Sequence, residues 1–300
     1  MKRWPPRPCL GTSFYKAHGL GNDYLVFREG SAWSATPEAV EAVCDRHRGV
    51  GSDGVVALLA DHDLDRIRLR MFNPDGSEFE RSGNGLRVLA SYLAREGLVG
   101  EESFAVEVGG VQIEMTVHGV RGSTYDVSVD MGRCLVGPEA VGLEASVLDE
   151  RGGITGPDGV PLHVVPVSVG NPHLVTLVPD PTEELLESLG PFLASHPALS
   201  DGANVQLATP LAPGHVRALT WERGVGRTST SGTSACAVAV AAVAEGLVEA
   251  GDVTVKMSGG ALVVSVNSEY DTVLRGPVEE VLNGELATAW VSRFGVPLSD

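Results

Sequence analysis

Two stretches decide the architecture: SGNGLRVLASYLARE at residues 82–96 and SGTSACAVAVAAVAE at residues 231–245. Each opens on a Ser-Gly turn and runs into an apolar segment. In the first, Leu86, Leu89, Ala90 and Leu93 recur at helical spacing. In the second, residues 235–245 are almost wholly apolar, as suits a helix buried on every side. The two serines stand 149 residues apart, half the chain. Around each runs the same order of strand, strand, helix, strands, Ser-Gly turn and helix. The repeat is diffuse in identity but regular in order, and it predicts an α+β unit used twice.

Working outward, strands are expected at residues 14–16, 24–27, 55–59 and 67–72, with a helix over 37–46 capped by Thr36 and opened by Pro37. Asn73-Pro74-Asp75-Gly76 reads as a turn. Further strands are expected at 104–108, 112–117 and 125–131. The Gly-rich stretch 137–159 is expected to contain the crossing between domains. Beyond it, strands are read at 163–169, 174–178, 204–208, 215–221, 253–257, 261–266 and 273–275, with a helix over 182–189. The expected halves are residues 1–128 and 129–275, with residues from about 276 to 300 returning to the first.

A formal net charge of -17 argues against a nucleic-acid partner, which needs clustered Lys and Arg. No apolar run is long enough to span a bilayer. The first eight residues, MKRWPPRP, are basic like the start of a signal peptide, but prolines rather than an apolar stretch follow. They read as a loose extension ahead of the first strand. Cys9, Cys44, Cys134 and Cys236 are scattered without a C-x-x-C pair, which fits reduced thiols in a cytoplasmic protein and offers no metal site.

A helix N-terminus carries unpaired N–H groups and partial positive charge, so it suits a carboxylate or phosphate. Gly83-Asn84-Gly85 and Gly232-Thr233-Ser234 would each form such a nest. The plainer reading is a helix-entry turn, which Ser and Gly favour anyway. Asn22, Asn73, Asn84, Asn171 and Asn204 all stand beside glycine, proline or strand ends. Asn and Arg side chains are suited to reading a zwitterionic amino acid.

The ordered series His18-Gly19-Leu20-Gly21-Asn22-Asp23, Gly49-Val50-Gly51-Ser52-Asp53-Gly54, Phe72-Asn73-Pro74-Asp75-Gly76-Ser77, Gly83-Asn84-Gly85, Gly170-Asn171-Pro172-His173, Asn204-Val205 and Glu222-Arg223-Gly224-Val225-Gly226 resembles diaminopimelate epimerase from about residue 13 to residue 285. The resemblance implies two pseudo-symmetric α+β domains, each a mixed sheet wrapped round a central helix, with the active site between them. It implies an isomerase of lysine and peptidoglycan biosynthesis that inverts an α-carbon with two opposed bases, no cofactor and no metal. By resemblance, Asn22, Asn73, Asn171, Asn204 and Arg223 hold the distal groups of diaminopimelate. Gly83, Asn84, Gly232 and Thr233 hold the reacting carboxylate, and His173 and Glu222 contact the reacting amine or tune the bases.

The departure is that the family's two catalytic cysteines fall on Ser82 and Ser231. A thiol near pKa 8.5 yields thiolate at a helix N-terminus, whereas a serine hydroxyl needs an adjacent base. Three readings therefore stay open: a diaminopimelate epimerase working through serines, a racemase, epimerase or lyase for another amino acid, and a catalytically impaired amino-acid-binding homologue. The expected partner is a small-molecule substrate, an amino acid with a second charged end. Assembly as a homodimer stays open.

Overall fold

The computed structural model describes residues 6–59, 67–79 and 82–295. These divide into two compact units, Met1–Val129 with Pro277–Asp300, and Asp130–Gly276. The chain thus enters the second unit at residue 130. The stretch 137–159, expected to hold the crossing, lies wholly within that unit; its glycines instead turn short helical and strand segments.

The first unit contains β1 (Cys9–Gly19), β2 (Asn22–Glu29), β3 (Trp33–Ser34), α1 (Pro37–Cys44), β4 (Val55–Leu58), β5 (Ile67–Phe72), β6 (Glu78–Phe79), α2 (Gly83–Arg95), β7 (Phe104–Val108), β8 (Val111–Arg121) and most of β9 (Thr124–Arg133). β1 pairs antiparallel with β2, β2 parallel with β4, β4 antiparallel with β5, β5 parallel with β7, β7 antiparallel with β8, and β8 antiparallel with β9. A late strand, β19 (Asp271–Glu285), closes the ring against both β9 and β1. Inside lies α2, buried from Gly83 through Leu93, including the charged Arg87. A sheet curled into a ring has no free edge, and its inner faces bury the helix on all sides.

Three local expectations are revised. α1 stops at Cys44 rather than residue 46, because Asp45 turns extended and its Oδ1 accepts from the backbone N–H groups of His47 and Arg48 at 2.8 Å each. The first strand begins at Cys9 rather than residue 14. Gly30 N–H donates to Cys9 O and Ala32 N–H to Leu10 O, both at 2.9 Å, while Leu10 and Trp33 are fully buried. Nor are residues 6–8 loose. Ala35 N–H donates to Pro8 O at 3.0 Å, Arg70 Nη1 to Pro6 O at 2.5 Å, and Arg7 Nη1 to Gly76 O at 2.9 Å. The earlier part of the basic stretch, residues 1–5, lies outside the described residues.

The second unit holds β10 (Leu135–Val136), β11 (Gly153–Thr155), β12 (Pro161–Ser168), β13 (Pro172–Leu177), α3 (Glu183–Ala194), β14 (Asn204–Ala212), β15 (His215–Glu222), β16 (Gly226–Thr228), α4 (Gly232–Ala244), β17 (Gly251–Met257), β18 (Gly260–Val266) and the start of β19. Its ladder runs β10, β12, β13, β14, β15, β17, β18, β19, with the parallel pairs β13–β14 and β15–β17. α4 is buried throughout most of its length and packs on β12, β14, β15 and β18. α3 runs past the expected end at residue 189 and through Pro191, because Leu186, Leu189 and Leu193 form one buried seam against β14 and β15. Burial of that seam outweighs the proline penalty. A short α5 (Thr288–Val291) follows β19, and its Val291 joins the core around Trp33 in the first unit. The fold is thus α+β, with each mixed sheet wrapped round one helix.

Candidate active site

The helix inside each unit starts in the same way. Ser82 caps α2 with φ -139° and ψ 117°, and Ser231 caps α4 with φ -143° and ψ 128°. Ser82 Oγ accepts from Gly85 N–H at 3.0 Å, and Ser231 Oγ accepts from Ser234 N–H at 3.5 Å. Helical geometry leaves the N–H groups of Gly83 and Asn84, and of Gly232 and Thr233, without an intrahelical carbonyl, so each helix presents donors and positive potential beside a hydroxyl. Ser82 Oγ lies 3.0 Å from Tyr24 Oη, and Ser231 Oγ lies 3.5 Å from Thr233 Oγ1.

In the first unit the structure joins Asn22 to Asn84: Asn84 Nδ2 donates to Asn22 Oδ1 at 2.8 Å. Asn22 stands just after a two-residue hairpin turn in which Leu20 and Gly21 both have positive φ, 55° and 95°. Such a turn suits the twist of paired strands but strains a non-glycine residue. Asn22 Nδ2 donates to Asp53 Oδ2 at 2.9 Å, and Asp23 N–H donates to the same oxygen at 3.1 Å. Arg46 Nη2 reaches Asp53 Oδ1 at 2.6 Å and Asp23 Oδ1 at 2.7 Å, and Lys16 Nζ lies 3.0 Å from Asp23 Oδ2. Burial opposes ionisation of Asp23, but hydrogen bonds from Arg46 and Lys16 prevail and hold its carboxyl below the usual range.

Asn73 is held apart from that pair. Its Nδ2 donates to Ser77 Oγ at 2.9 Å, and its N–H to Ser77 O at 2.9 Å. The turn needs Gly76, whose φ is +74° and whose added Cβ would meet Pro37 Cα at 2.3 Å. Behind the turn, Arg70 forms a buried two-pronged ion pair with Glu78, at 2.7 and 2.5 Å. The Arg7 and Arg70 guanidinium groups lie 5.0 and 5.6 Å from the Phe72 ring centroid.

In the second unit, Gln206 Nε2 donates to His173 Nδ1 at 3.0 Å and to Ser234 Oγ at 2.9 Å. His173 Nε2–H then donates to Asn171 Oδ1 at 2.9 Å. Full burial pushes the His173 pKa down to about 3, with nearby Arg223 adding to the effect against the Gln206 hydrogen bond. The ring is neutral and both nitrogens are engaged. Asn204 Oδ1 accepts from Arg223 N–H at 2.9 Å, Arg223 Nη1 donates to Asp201 O, and Thr228 Oγ1 donates to Glu222 Oε1 at 3.0 Å. Residues 222–226 therefore sit beside Asn204, on the strand parallel to the one carrying His173.

Tyr24, Lys16, Arg46, Asp53, Arg87 and Gln206 were missed as site components. Arg87 carried a readable signal: a single charge inside the apolar helix pattern, four residues after Gly83. Among the described residues, no group of three or more His, Cys, Asp and Glu side chains is placed to hold a metal, and no helix is long and apolar enough to cross a membrane. Cys236 is wholly buried in α4.

The diaminopimelate epimerase family matches residues 14–136 and 165–281. A diaminopimelate epimerase from Desulforudis audaxviator is 39% identical over 281 residues, covering 92% of this chain and 99% of the relative. A diaminopimelate epimerase 2 from Nostoc sp. is 35% identical over 279 residues, covering 92% and 95%. Among solved structures, a predicted epimerase from Pseudomonas aeruginosa shares the fold with a TM-score of 0.66 at 20% identity, covering 92% of this chain and 99% of that one. A probable proline racemase from Agrobacterium radiobacter, with bound carbonate, does so with a TM-score of 0.63 at 18% identity, covering 92% and 93%.

Proposed function

The chain belongs to the diaminopimelate epimerase family, an isomerase family, and on that premise we propose that it inverts the α-carbon of diaminopimelate without a cofactor. One observation carries the reading: two helices, one per unit, enter through the same serine-capped turn with backbone angles that nearly coincide. An α-proton leaves more readily when the charge that develops on the adjacent carboxylate meets fixed N–H donors and a helix dipole. Gly83 and Asn84 on one helix, and Gly232 and Thr233 on the other, supply those donors. Ser82 and Ser231 are the groups that take and return the proton.

A hydroxyl is a poorer acid than a thiol and takes a proton only as the alkoxide. The groups hydrogen-bonded to the serines, Tyr24 at Ser82 and Thr233 at Ser231, are hydroxyls rather than bases, so each serine loses its own proton to solvent and the exchange is slow. His173, neutral and engaged twice, fixes Asn171 rather than taking a proton itself. Asn22, Asn73, Asn171, Asn204 and Arg223 receive the distal amino and carboxylate groups, and Glu222 lies next to Arg223 to meet an amine.

The test follows the α-proton of diaminopimelate into deuterated solvent by NMR. Exchange is expected to be slow in the natural chain and at least about tenfold faster in a Ser82→Cys/Ser231→Cys double variant, because thiolate is far more accessible at neutral pH. Binding without exchange in either form would make the protein an amino-acid binder. Absence of calorimetric binding at millimolar diaminopimelate would remove the substrate assignment.

A further inference from the structure

Asn22 and Asn84 are the middle of a hydrogen-bond relay whose two ends determine its direction. At one end stands Asp53, a carboxylate that accepts only; its other oxygen is engaged by Arg46 at 2.6 Å. The Asn22 atom 2.9 Å from Asp53 must therefore be the amide nitrogen. That turns Asn22 Oδ1 toward Asn84, which must donate, at 2.8 Å. Asn84 Oδ1 then faces Arg87 Nη2, and a guanidinium only donates. Arg87 is wholly buried and held on its other side by Pro277 O at 3.0 Å and Gly83 O at 3.3 Å. An acceptor-only end and a donor-only end leave one consistent arrangement of both amides. Flipping either Asn would set N–H against N–H at one junction and oxygen against oxygen at another.

We propose that Asp53 and Arg87 are positioning residues which hold the Asn22 and Asn84 amides so that each keeps its oxygen engaged and one N–H free for a substrate carboxylate. The charges agree with this assignment. Lys16, Arg46 and Arg87 outnumber Asp23 and Asp53 by one, so the relay sits in a locally positive field at the N-terminus of α2. Gly19 shows how tightly the relay is enclosed: a Cβ there would lie 2.8 Å from Arg87 Nη2 and 3.2 Å from Asn84 Oδ1. The inference rests on the reading above that this unit binds an amino acid, and its test separates the two.

The decisive variant is Asp53→Asn. The Asp53 side chain is 38% exposed, so the change is compatible with folding, and an amide there no longer forces its neighbour's direction. For the natural chain, calorimetry and steady-state kinetics with diaminopimelate give the reference Kd, KM and kcat. The variant is expected to raise Kd and KM about tenfold, the value of one hydrogen bond to a charged group, with kcat within about twofold. Arg87→Lys, which keeps the charge but loses the fork, is expected to shift KM in the same sense. A parallel fall in kcat and KM effects, or unchanged Kd and KM in Asp53→Asn, overturns the proposal.

A second readout needs no ligand. The side-chain amide protons of Asn84, followed by NMR, are expected to exchange with solvent faster in Asp53→Asn than in the natural chain, although Asn84 does not touch residue 53. Unchanged Asn84 exchange overturns the relay even if diaminopimelate proves not to bind.

Discussion

His173 makes the stability of the second unit depend on pH in a way that can be calculated. Its pKa falls from 6.5 to about 3 on folding, chiefly because burial excludes the charged form. Between those values the unfolded chain binds a proton that the folded chain refuses. Stability contributed by neutral His173 is therefore complete above the unfolded pKa and is lost as pH falls below it. At about pH 5.5, one unit below 6.5, the loss is about 1.4 kcal/mol, and near pH 4.5 it is about 2.7 kcal/mol. The perturbation is His173→Gln, which keeps a polar side chain but cannot titrate. Urea unfolding of both proteins at about pH 7, 5.5 and 4.5 is then compared. The carboxylates are common to both, so the difference between the two pH profiles isolates His173. The natural chain is expected to lose about 1.3 kcal/mol more than the variant on going from about pH 7 to about pH 5.5. Parallel profiles would show that His173 keeps a pKa near 6.5 in the folded protein and is available as a base near neutrality, contrary to the geometry described above.

Three other perturbations test the supports of the site. Gly76→Ala puts a side chain at φ +74° and a Cβ 2.3 Å from Pro37 Cα; thermal unfolding is expected to register a loss of about 2–4 kcal/mol, and a loss below about 0.5 would contradict it. Glu78→Gln removes the charge of the carboxylate that forks the buried Arg70 guanidinium; chemical denaturation should show about 3–5 kcal/mol of destabilisation, whereas a neutral result would mean that the other contacts of Arg70 suffice. Ser82→Ala removes the α2 cap and the partner of Tyr24; a loss of about 1 kcal/mol is expected by calorimetry together with abolished α-proton exchange, and retained exchange would exclude Ser82 from the chemistry.

The parts of the fold that local rules govern were readable. The caps Ser82, Ser231 and Thr36 stand one residue before their helices, as expected of side chains that satisfy the first free N–H groups, and Thr182, read as the first helical residue, proves to be a cap as well. The apolar content of residues 235–244 announced a helix buried on all sides. What escaped was set by distant partners. The first strand begins five residues earlier than its own pattern suggests because Gly30 and Ala32 supply its hydrogen bonds. α3 continues through Pro191 because Leu193 is buried beyond it. Of the candidate site, the backbone nests and the asparagines were legible as glycine-flanked polar residues. The relay from Arg46 to Arg87 was not, since its members are drawn from a loop, a hairpin and a helix and have no common spacing. The same is true of Tyr24 against Ser82, 58 residues apart.

The ring of the first unit is assembled from both ends of the chain: residues 279–285 of β19 pair with residues 13–18 of β1. A polypeptide made from its N-terminus onward thus completes the material of residues 130–276 before the strand that seals the earlier half has been synthesised. Until then α2 lies in an open trough, with Arg87 lacking Pro277 O and Arg95 lacking Glu280. A nascent chain halted just after residue 276 has emerged would hold a finished later unit tethered to an unsealed earlier one, and the exposed trough would be the surface that a chaperone meets.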